Sequence, residues 1–332
     1  MRFIGTHNLK KTITAMLTAG MLFASCACSA AGSGSGNGNG GRLKVVATVF
    51  SGYDWVREIA GDRINDIDLT LLLDNGADMH SFQPTAKDII NISSCDVFVY
   101  VGGESDGWVE DALKEAVNKD MQVVNMMELL DGRVVEEEIV EGMETEACED
   151  NDEAEYDEHV WLSLKNAQVI VTGIAGAMEK ADPANGAAYK KNAGNYNKKL
   201  AELDGKYAEA VKNGSKDTVL FGDRFPFRYL TDDYGLNYYA AFAGCSAETE
   251  ASFETVVFLA GKLDELGLKV VLVIEGPDHK VAQTIADNTK SKDQEILVMD
   301  SIQSTTSSDS RNGVTYISIM ESNLEVLRKA LG

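Results

Sequence analysis

The sequence is short of basic residues and lacks the short motifs that mark common hydrolytic enzymes. Its 332 residues carry 30 Lys and Arg against 53 Asp and Glu, which gives a net charge of −23. This deficit argues against nucleic acid or an anionic membrane surface as the main partner, and it suits a cationic ligand. There is no H-E-x-x-H motif and no nucleophile elbow. The sequence therefore predicts a binding protein and not an enzyme.

Paired cysteines are also missing. Cys26 and Cys28 lie close to the N-terminus, whereas Cys95, Cys148 and Cys245 lie far apart. These three show neither metal-ligand spacing nor a disulfide framework. Cys95 precedes the apolar run VFVYV and is predicted to be a small core residue.

The N-terminal apolar run, residues 13–24, is too short to span a bilayer and follows three basic residues. It ends in FASCACSA, which resembles the lipobox of bacterial lipoproteins. We expect a signal peptide over residues 1–25 with Cys26 as the lipidated residue. Cys28 offers a second register, and an ordinary signal peptide cut shortly afterwards is the alternative. The Gly/Ser/Asn-rich residues 26–42 then form a flexible tether.

The rest of the chain alternates strand and helix patterns, which predicts α/β architecture with mostly parallel sheets. We expect two α/β lobes, residues 43–181 and 215–332, joined by one long helix over residues 182–214. Asp182 is the expected N-cap of that helix, with Pro183 at its first position. The apolar stripe predicted for this helix follows a helical period: Tyr189, Ala193, Tyr196, Leu200, Leu203, Tyr207 and Ala210. A coiled coil is the alternative reading of the stripe.

A strongly acidic segment interrupts the first lobe. Residues 136–158 contain thirteen Asp and Glu and no Lys or Arg, so we expect a disordered loop. This loop is either a solvated spacer or a collector of metal ions.

Two histidine motifs flank the acidic segment. His80 lies in NGADMHSFQP, a loop that follows a predicted strand, and His159 lies in DEHVWLSL. In parallel sheets, ligands bind beyond the carboxyl ends of the strands, which is where His80 falls. The two motifs, together with GGESDGWV and the DP-x-N start of the long helix, resemble the zinc- and manganese-binding receptor lipoproteins of ATP-binding-cassette importers. The matching positions of the first lobe are Gly76, Asp78, His80, Pro84, Gly103, Asp106, Trp108, Val109 and His159.

The resemblance implies a metal site between the lobes. It makes His80, His159 and Asp300 metal ligands and places Glu275 close to the site, in a supporting position. The implied partners are a divalent metal ion, an importer permease and the membrane through the lipid anchor, on a monomeric, extracytoplasmic protein.

One ligand position departs from the family pattern. The remaining ligand of the family falls at Arg224, and an arginine does not ligate a cation. Asp223, one residue earlier, is the next candidate: it would take the ligand position if the turn between the predicted strand at 218–222 and the following helix were shifted by one residue. His279 is the fallback.

Two imidazoles and carboxylates suit Zn²⁺ first and Mn²⁺ next, whereas Ca²⁺ and Mg²⁺ sites use mostly oxygen. The alternatives are a receptor of the same architecture for an iron chelate or a vitamin, a surface adhesion protein, and a secreted metallohydrolase.

Overall fold

The computed structural model describes residues 41–76, 78–144, 156–246 and 250–332. Within this part of the chain, the residues from Arg42 to Gly332 form one compact unit. No helix of the described residues is long and apolar enough to cross a membrane. The predicted signal peptide, Cys26, Cys28 and nearly all of the tether lie outside the described residues.

The first lobe is built on a four-stranded sheet. Its elements are β1 (Leu43–Ala47), α1 (Phe50–Ala60), β2 (Ile67–Leu71), α2 (Ala86–Ser94), β3 (Val97–Tyr100), α3 (Val109–Lys114), β4 (Gln122–Asn125) and α4 (Leu164–Ala181). All strands pair in parallel, in the order β2-β1-β3-β4. Because β2 and β3 lie on opposite sides of β1, their C-terminal loops leave the sheet next to its topological switch point.

The second lobe follows the long helix α5 (Gly186–Asn213) and repeats this plan. Its elements are β5 (Thr218–Phe225), α6 (Arg228–Tyr234), β6 (Asn237–Ala243), α7 (Phe253–Leu266), β7 (Val270–Val273), α8 (Lys280–Asp287), β8 (Glu295–Val298), α9 (Ser307–Arg311) and α10 (Tyr316–Leu331). The strand order is β6-β5-β7-β8, and all pairs are again parallel. The predicted two-lobe α/β architecture is confirmed.

The long helix α5 joins the two lobes. With 28 residues it is roughly 42 Å long, and it packs against α1 and α4 of the first lobe and α6 and α10 of the second. Every residue of the predicted apolar stripe is buried. The predicted start is wrong, because Asp182 follows the end of α4. Its carboxylate accepts hydrogen bonds from Tyr189 Oη and Asn185 Nδ2 (both 2.7 Å), and Asn185 occupies the N-cap position.

The acidic segment is more ordered than expected at both of its ends. Glu136 and Tyr156 form an antiparallel bridge. Between Glu136 and Glu144 the chain contacts the second lobe: Glu144 N donates to Ala241 O (2.9 Å), and Gly142 O accepts from Thr255 Oγ1 (3.0 Å). These hydrogen bonds to the second lobe order residues 136–144 in spite of the repulsion between their carboxylates. Residues 145–155 lie outside the described residues.

The boundary predicted after residue 222 is also wrong. Strand β5 continues to Phe225, with an irregularity in its pairing between Phe221 and Arg224. Asp223 and Arg224 are therefore strand residues at the edge of the sheet that faces the cleft, and the helix begins only at Arg228.

Candidate metal centre

His80 is positioned by a short turn after β2. The Asp78 carboxylate accepts a hydrogen bond from His80 N (3.1 Å), and residues Met79–Ser81 form a single 3₁₀ turn. Met79 is buried and fixes the turn against the core. The half-buried His80 side chain lies on the wall of the cleft.

One carboxylate positions His159 through two contacts, one with its backbone nitrogen and one with its ring Nδ1. Asp157 Oδ1 accepts from His159 N (2.8 Å) and lies 3.0 Å from His159 Nδ1. The backbone carbonyl of Asp157 in turn accepts from Tyr229 Oη (2.7 Å), so α6 of the second lobe holds this stretch. The imidazole of His159 is completely buried.

The two imidazoles face each other through their Nε2 atoms, which lie 3.3 Å apart. Both Nδ1 atoms face acceptors: His159 Nδ1 faces Asp157, and His80 Nδ1 lies 2.8 Å from Ser105 Oγ and 3.4 Å from Glu158 Oε2. These partners favour the tautomer with the proton on Nδ1, which leaves a lone pair on each Nε2. Two lone pairs at this distance repel each other until a cation lies between them.

The distance fits a tetrahedral ion. Two metal–nitrogen bonds of about 2.0–2.1 Å at a tetrahedral angle place the two nitrogens roughly 3.3–3.4 Å apart. Histidines that bind metal usually donate the other ring N–H to a carboxylate or a carbonyl, which is the arrangement of His159 and Asp157.

Glu158 links the His80 side of the pair to the loop after β3. Its Oε1 accepts from Ser105 N (2.8 Å). Burial raises the pKa of Glu158, but hydrogen bonds from His80 and Ser105 outweigh this effect and leave the pKa below its usual range. Gly103 has φ +80°, and a Cβ there would lie 2.3 Å from Glu158 Oε1. Glycine is therefore required at position 103.

Asp106 organises the same loop from inside. Its Oδ2 accepts from Val101 N (2.9 Å) and Gly102 N (3.0 Å), at the end of β3. Burial raises the pKa of Asp106 to about 6, although these two hydrogen bonds act in the opposite direction. The GGESDGWV motif thus shapes the loop that carries Ser105.

The carboxylates expected from the second lobe are already engaged. Glu275 accepts from Ser301 N (2.6 Å), Ser301 Oγ (2.8 Å) and Gln303 N (3.2 Å), so it holds the loop after β8. Asp300 Oδ1 accepts from Ile302 N (2.7 Å). Burial, and next the charge of Glu275, raise the pKa of Asp300 to about 7.

Asp223 uses both carboxylate oxygens on the backbone, at Arg224 N (2.8 Å) and Ile274 N (3.3 Å). The Arg224 guanidinium pairs with the Asp78 carboxylate and so bridges the two lobes. Burial raises the pKa of Asp78, but the charge of Arg224 outweighs this effect and lowers it.

His279 precedes α8, and its buried Nδ1 has no hydrogen-bond partner among the described residues.

Cys245 is the side chain that the sequence analysis missed. Its Sγ and one ring nitrogen each of His80 and His159 lie within 4.8 Å of one another. Among the described residues, this group of three includes neither Asp300 nor Asp223. The signal in the sequence was the position of Cys245 two residues after the end of β6, at the same edge as the other strand-end residues, but it lies far along the chain from both His80 and His159. Burial, and next the charges of Glu137, Asp157 and Glu158, raise the pKa of the thiol.

Many of these groups line one cleft between the lobes. It has a volume of about 860 Å³. Its wall includes Asp78, His80, Asp223, Arg224, Cys245, Glu275 and His279.

Comparison with known proteins identifies the family. A family model described as the periplasmic component A of the zinc-uptake complex, ZnuA, matches residues 45–330. The chain belongs to this family. The ZnuA family assignment covers both lobes and α5, so the resemblance inferred from the histidine motifs is confirmed.

Among curated relatives, the high-affinity zinc uptake system protein ZnuA of Bacillus subtilis is 32% identical over 295 residues, which is 87% of this chain and 88% of that protein. The zinc-binding protein AdcA of Streptococcus pyogenes is 30% identical over 296 residues. That match covers 87% of this chain but 56% of AdcA, so the chain spans a little over half the length of these streptococcal relatives.

Solved structures agree with this assignment. The metal-dependent lipoprotein YcdH of B. subtilis superposes with a TM-score of 0.70 at 29% identity, over 88% of this chain and 100% of that chain. Zn(II)-bound AdcA of Streptococcus pneumoniae superposes with a TM-score of 0.69 at 26% identity, over 88% of this chain and 58% of that chain.

Proposed function

We propose that this protein is an extracytoplasmic receptor that binds a divalent transition-metal ion between its lobes and delivers it to an ATP-binding-cassette importer. Zinc is the favoured ion and manganese the next. The family assignment and the names of the zinc-binding relatives support the cargo class.

The observation that carries the proposal is the pair of facing Nε2 atoms of His80 and His159, 3.3 Å apart. Each ring is held through Nδ1 by an acceptor, so the nitrogens are oriented before the ion arrives. This preorganisation reduces the entropy lost on binding. Both nitrogen donors belong to the first lobe.

The ligand set proposed from the sequence adds Asp300, with Asp223 as a weaker candidate. The Oδ1 atom of Asp300 accepts a hydrogen bond from Ile302 N, and its Oδ2 atom has no hydrogen-bond partner within the described part of the chain. Asp223 is weaker because both of its oxygens accept backbone hydrogen bonds. Glu275 supports the loop next to Asp300, and His279 remains the fallback ligand.

Zinc is favoured over manganese by intrinsic affinity, since the stability order of divalent ions places zinc far above manganese at a site with nitrogen donors. The protein acts by binding and release, so we propose no catalytic role. Lipidation at Cys26, a monomeric state and a permease partner complete the proposal, and all three follow from the family pattern and the N-terminal sequence.

Zinc titration of single variants tests the proposal. His80→Ala and His159→Ala each remove one of the two preorganised nitrogens, and we expect each to lower zinc affinity by about a hundredfold or more. Thr284→Ala, which alters another side chain of the same cleft wall that is not a ligand candidate, is the control and keeps wild-type affinity. Wild-type affinity in either His80→Ala or His159→Ala would overturn the proposed site.

A second candidate function is a receptor for a chelated metal. The cleft volume of about 860 Å³ exceeds what a single ion needs, and its wall carries Arg224 and Lys280, which suit a carboxylate-bearing chelator. Titration with bare zinc separates the two functions, because a chelate receptor would bind the ion tightly only when the chelator is present.

A further inference from the structure

The cleft holds a third donor atom close to the two histidine nitrogens. Cys245 Sγ and the nitrogens of His80 and His159 all lie within 4.8 Å of one another. His80 and His159 come from the first lobe, whereas Cys245 follows β6 of the second lobe. The three donors therefore span the cleft.

The chain holds Cys245 at this place through its backbone. Cys245 N donates to Glu137 Oε1 (3.0 Å), a residue of the acidic segment that docks on the second lobe. The preceding residue, Gly244, lies against the imidazole of His159: a Cβ there would be 3.2 Å from His159 Cε1 and 2.9 Å from Phe225 O. The absence of a side chain at 244 lets the turn pass close to the ring and brings the thiol to the metal-binding edge.

Cys245 differs in this respect from Cys95, the other free cysteine of the described residues. Cys95 is completely buried in the core of the first lobe, where it packs as a small apolar residue. Cys245 is partly exposed and lines the cleft.

Arg224 of the second lobe stands where the resemblance described for the sequence implies a ligand, and its guanidinium is paired with Asp78. A guanidinium has no lone pair for a metal ion. Among the described second-lobe side chains, Cys245 is the one whose donor atom groups with the two histidine nitrogens, all within 4.8 Å of one another.

We propose that Cys245 is a further protein ligand of the metal, next to His80 and His159, and that its sulfur makes the site select zinc over manganese. This inference rests on the proposed metal-receptor function. When the metal binds, a sulfur–metal bond forms and the S–H proton leaves to solvent. Thiolate is a soft ligand that suits zinc, whereas manganese favours oxygen donors. A ligand from each lobe also lets the ion hold the cleft closed.

Cobalt binding to the full-length chain tests the proposal, because a cysteine ligand gives Co²⁺ a sulfur-to-metal charge-transfer absorption that imidazole and carboxylate ligands do not. The wild type is expected to show this band and Cys245→Ser to lose it while still binding cobalt. Cys95→Ala and Cys148→Ala are the matched controls and keep the band. A wild type without the band, or a Cys245→Ser variant that retains it, would overturn the assignment.

Competition between Zn²⁺ and Mn²⁺ supplies the second readout. Replacing sulfur by the harder hydroxyl oxygen should lower the ratio of zinc to manganese affinity by at least about tenfold in Cys245→Ser. If Cys245 had only a structural role, Cys245→Ser would lower the zinc and manganese affinities by the same factor. An unchanged affinity ratio would therefore contradict the proposal.

Failure of this inference is distinguishable from failure of the proposed function. If cobalt binds without a sulfur band and His80→Ala abolishes that binding, Cys245 is not a ligand and the receptor function stands. If the wild type binds neither cobalt nor zinc, both proposals fall.

Discussion

The two sides of the cleft prepare their polar groups in opposite ways. On the first lobe, His80 and His159 have their Nδ1 atoms held by acceptors and their Nε2 atoms directed at each other. On the second lobe, Asp223 and Glu275 direct their carboxylate oxygens at nearby backbone N–H groups. The first lobe thus presents nitrogen lone pairs to the cleft, whereas the carboxylate oxygens of Asp223 and Glu275 on the second lobe already accept backbone hydrogen bonds.

This difference indicates that the two lobes contribute to metal binding in different ways. We propose that the preorganised nitrogen pair of the first lobe sets the basic affinity and geometry for the ion, and that the second lobe contributes the ligand that completes the coordination shell. Changes on the first lobe should therefore have larger effects on affinity than comparable changes on the second.

Apart from replacing the histidines themselves, the largest effect is expected from the acceptors behind them. Asp157→Ala and Glu158→Ala remove the groups that orient the two rings, and we expect zinc affinity to fall by up to about a hundredfold. Asp223→Asn is the matched change on the second lobe and should alter affinity much less, because its oxygens serve the backbone. Zinc titration by competition with a chromophoric chelator measures both. An equal loss in Asp223→Asn would make Asp223 a ligand and remove the asymmetry.

A pH effect on folding stability is expected from Asp106. Burial raises its pKa from 3.8 in the unfolded chain to about 6 in the fold, so the folded state binds the proton more tightly. The contribution of Asp106 to stability is therefore greatest below pH 4 and is lost as the pH rises to about 6. A shift of this size corresponds to roughly 2–3 kcal/mol.

Asp106→Asn should remove this part of the pH dependence, since an amide oxygen still accepts from Val101 N and Gly102 N. Urea unfolding of the metal-free protein at several values between pH 4 and pH 7 measures it. Parallel stability curves for the variant and the wild type would contradict the role assigned to Asp106.

A smaller effect is expected from Gly103→Ala. At φ +80° an alanine costs about 1–2 kcal/mol of stability, and its Cβ would also displace the Glu158 carboxylate. Gly132→Ala is the control, because Gly132 has φ +75° with nothing within 4 Å of its Cβ position. Both variants should lose similar stability from the backbone, but Gly103→Ala alone should lose zinc affinity. Equal zinc affinity in the two variants would show that Glu158 does not support the site.

The smallest effect is expected from Arg224→Gln, which removes a cation from the second-lobe wall and frees the Asp78 carboxylate. Zinc affinity should rise a few-fold at low salt and less at high salt, as expected for screened charges. Arg228→Gln is the control, since Arg228 pairs with Glu138 and Asp232. A fall in affinity in Arg224→Gln would instead show that the ion pair between the lobes holds the His80 turn in place.

Local patterns predicted the fold and singled out the two first-lobe histidines whose Nε2 atoms lie 3.3 Å apart, whereas their role as ligands stays a prediction. The stripe of α5 follows the helical period, so its burial was readable from the sequence. His80 and His159 stand in short motifs whose neighbours, such as Asp78 and Asp157, shape the same turn. Such signals lie within a few residues of one another and can therefore be read from a single sequence.

The missed features depend on contacts between distant residues. Cys245 meets the histidines because the sheet edges of both lobes converge, and no spacing along the chain records this. The order of residues 136–144 depends on partners such as Ala241 and Thr255, about a hundred residues away. The extension of β5 to Phe225 includes a pairing irregularity that strand propensity does not encode.

Diffraction at the zinc absorption edge from crystals of the zinc-loaded protein tests the central claim most directly. We predict one strong anomalous peak in the cleft, about 2.0–2.1 Å from Nε2 of both His80 and His159, with Nδ1 of His159 still on Asp157. A peak bound through Nδ1, or a principal peak among the carboxylates of residues 136–158 or at His279, would contradict the account.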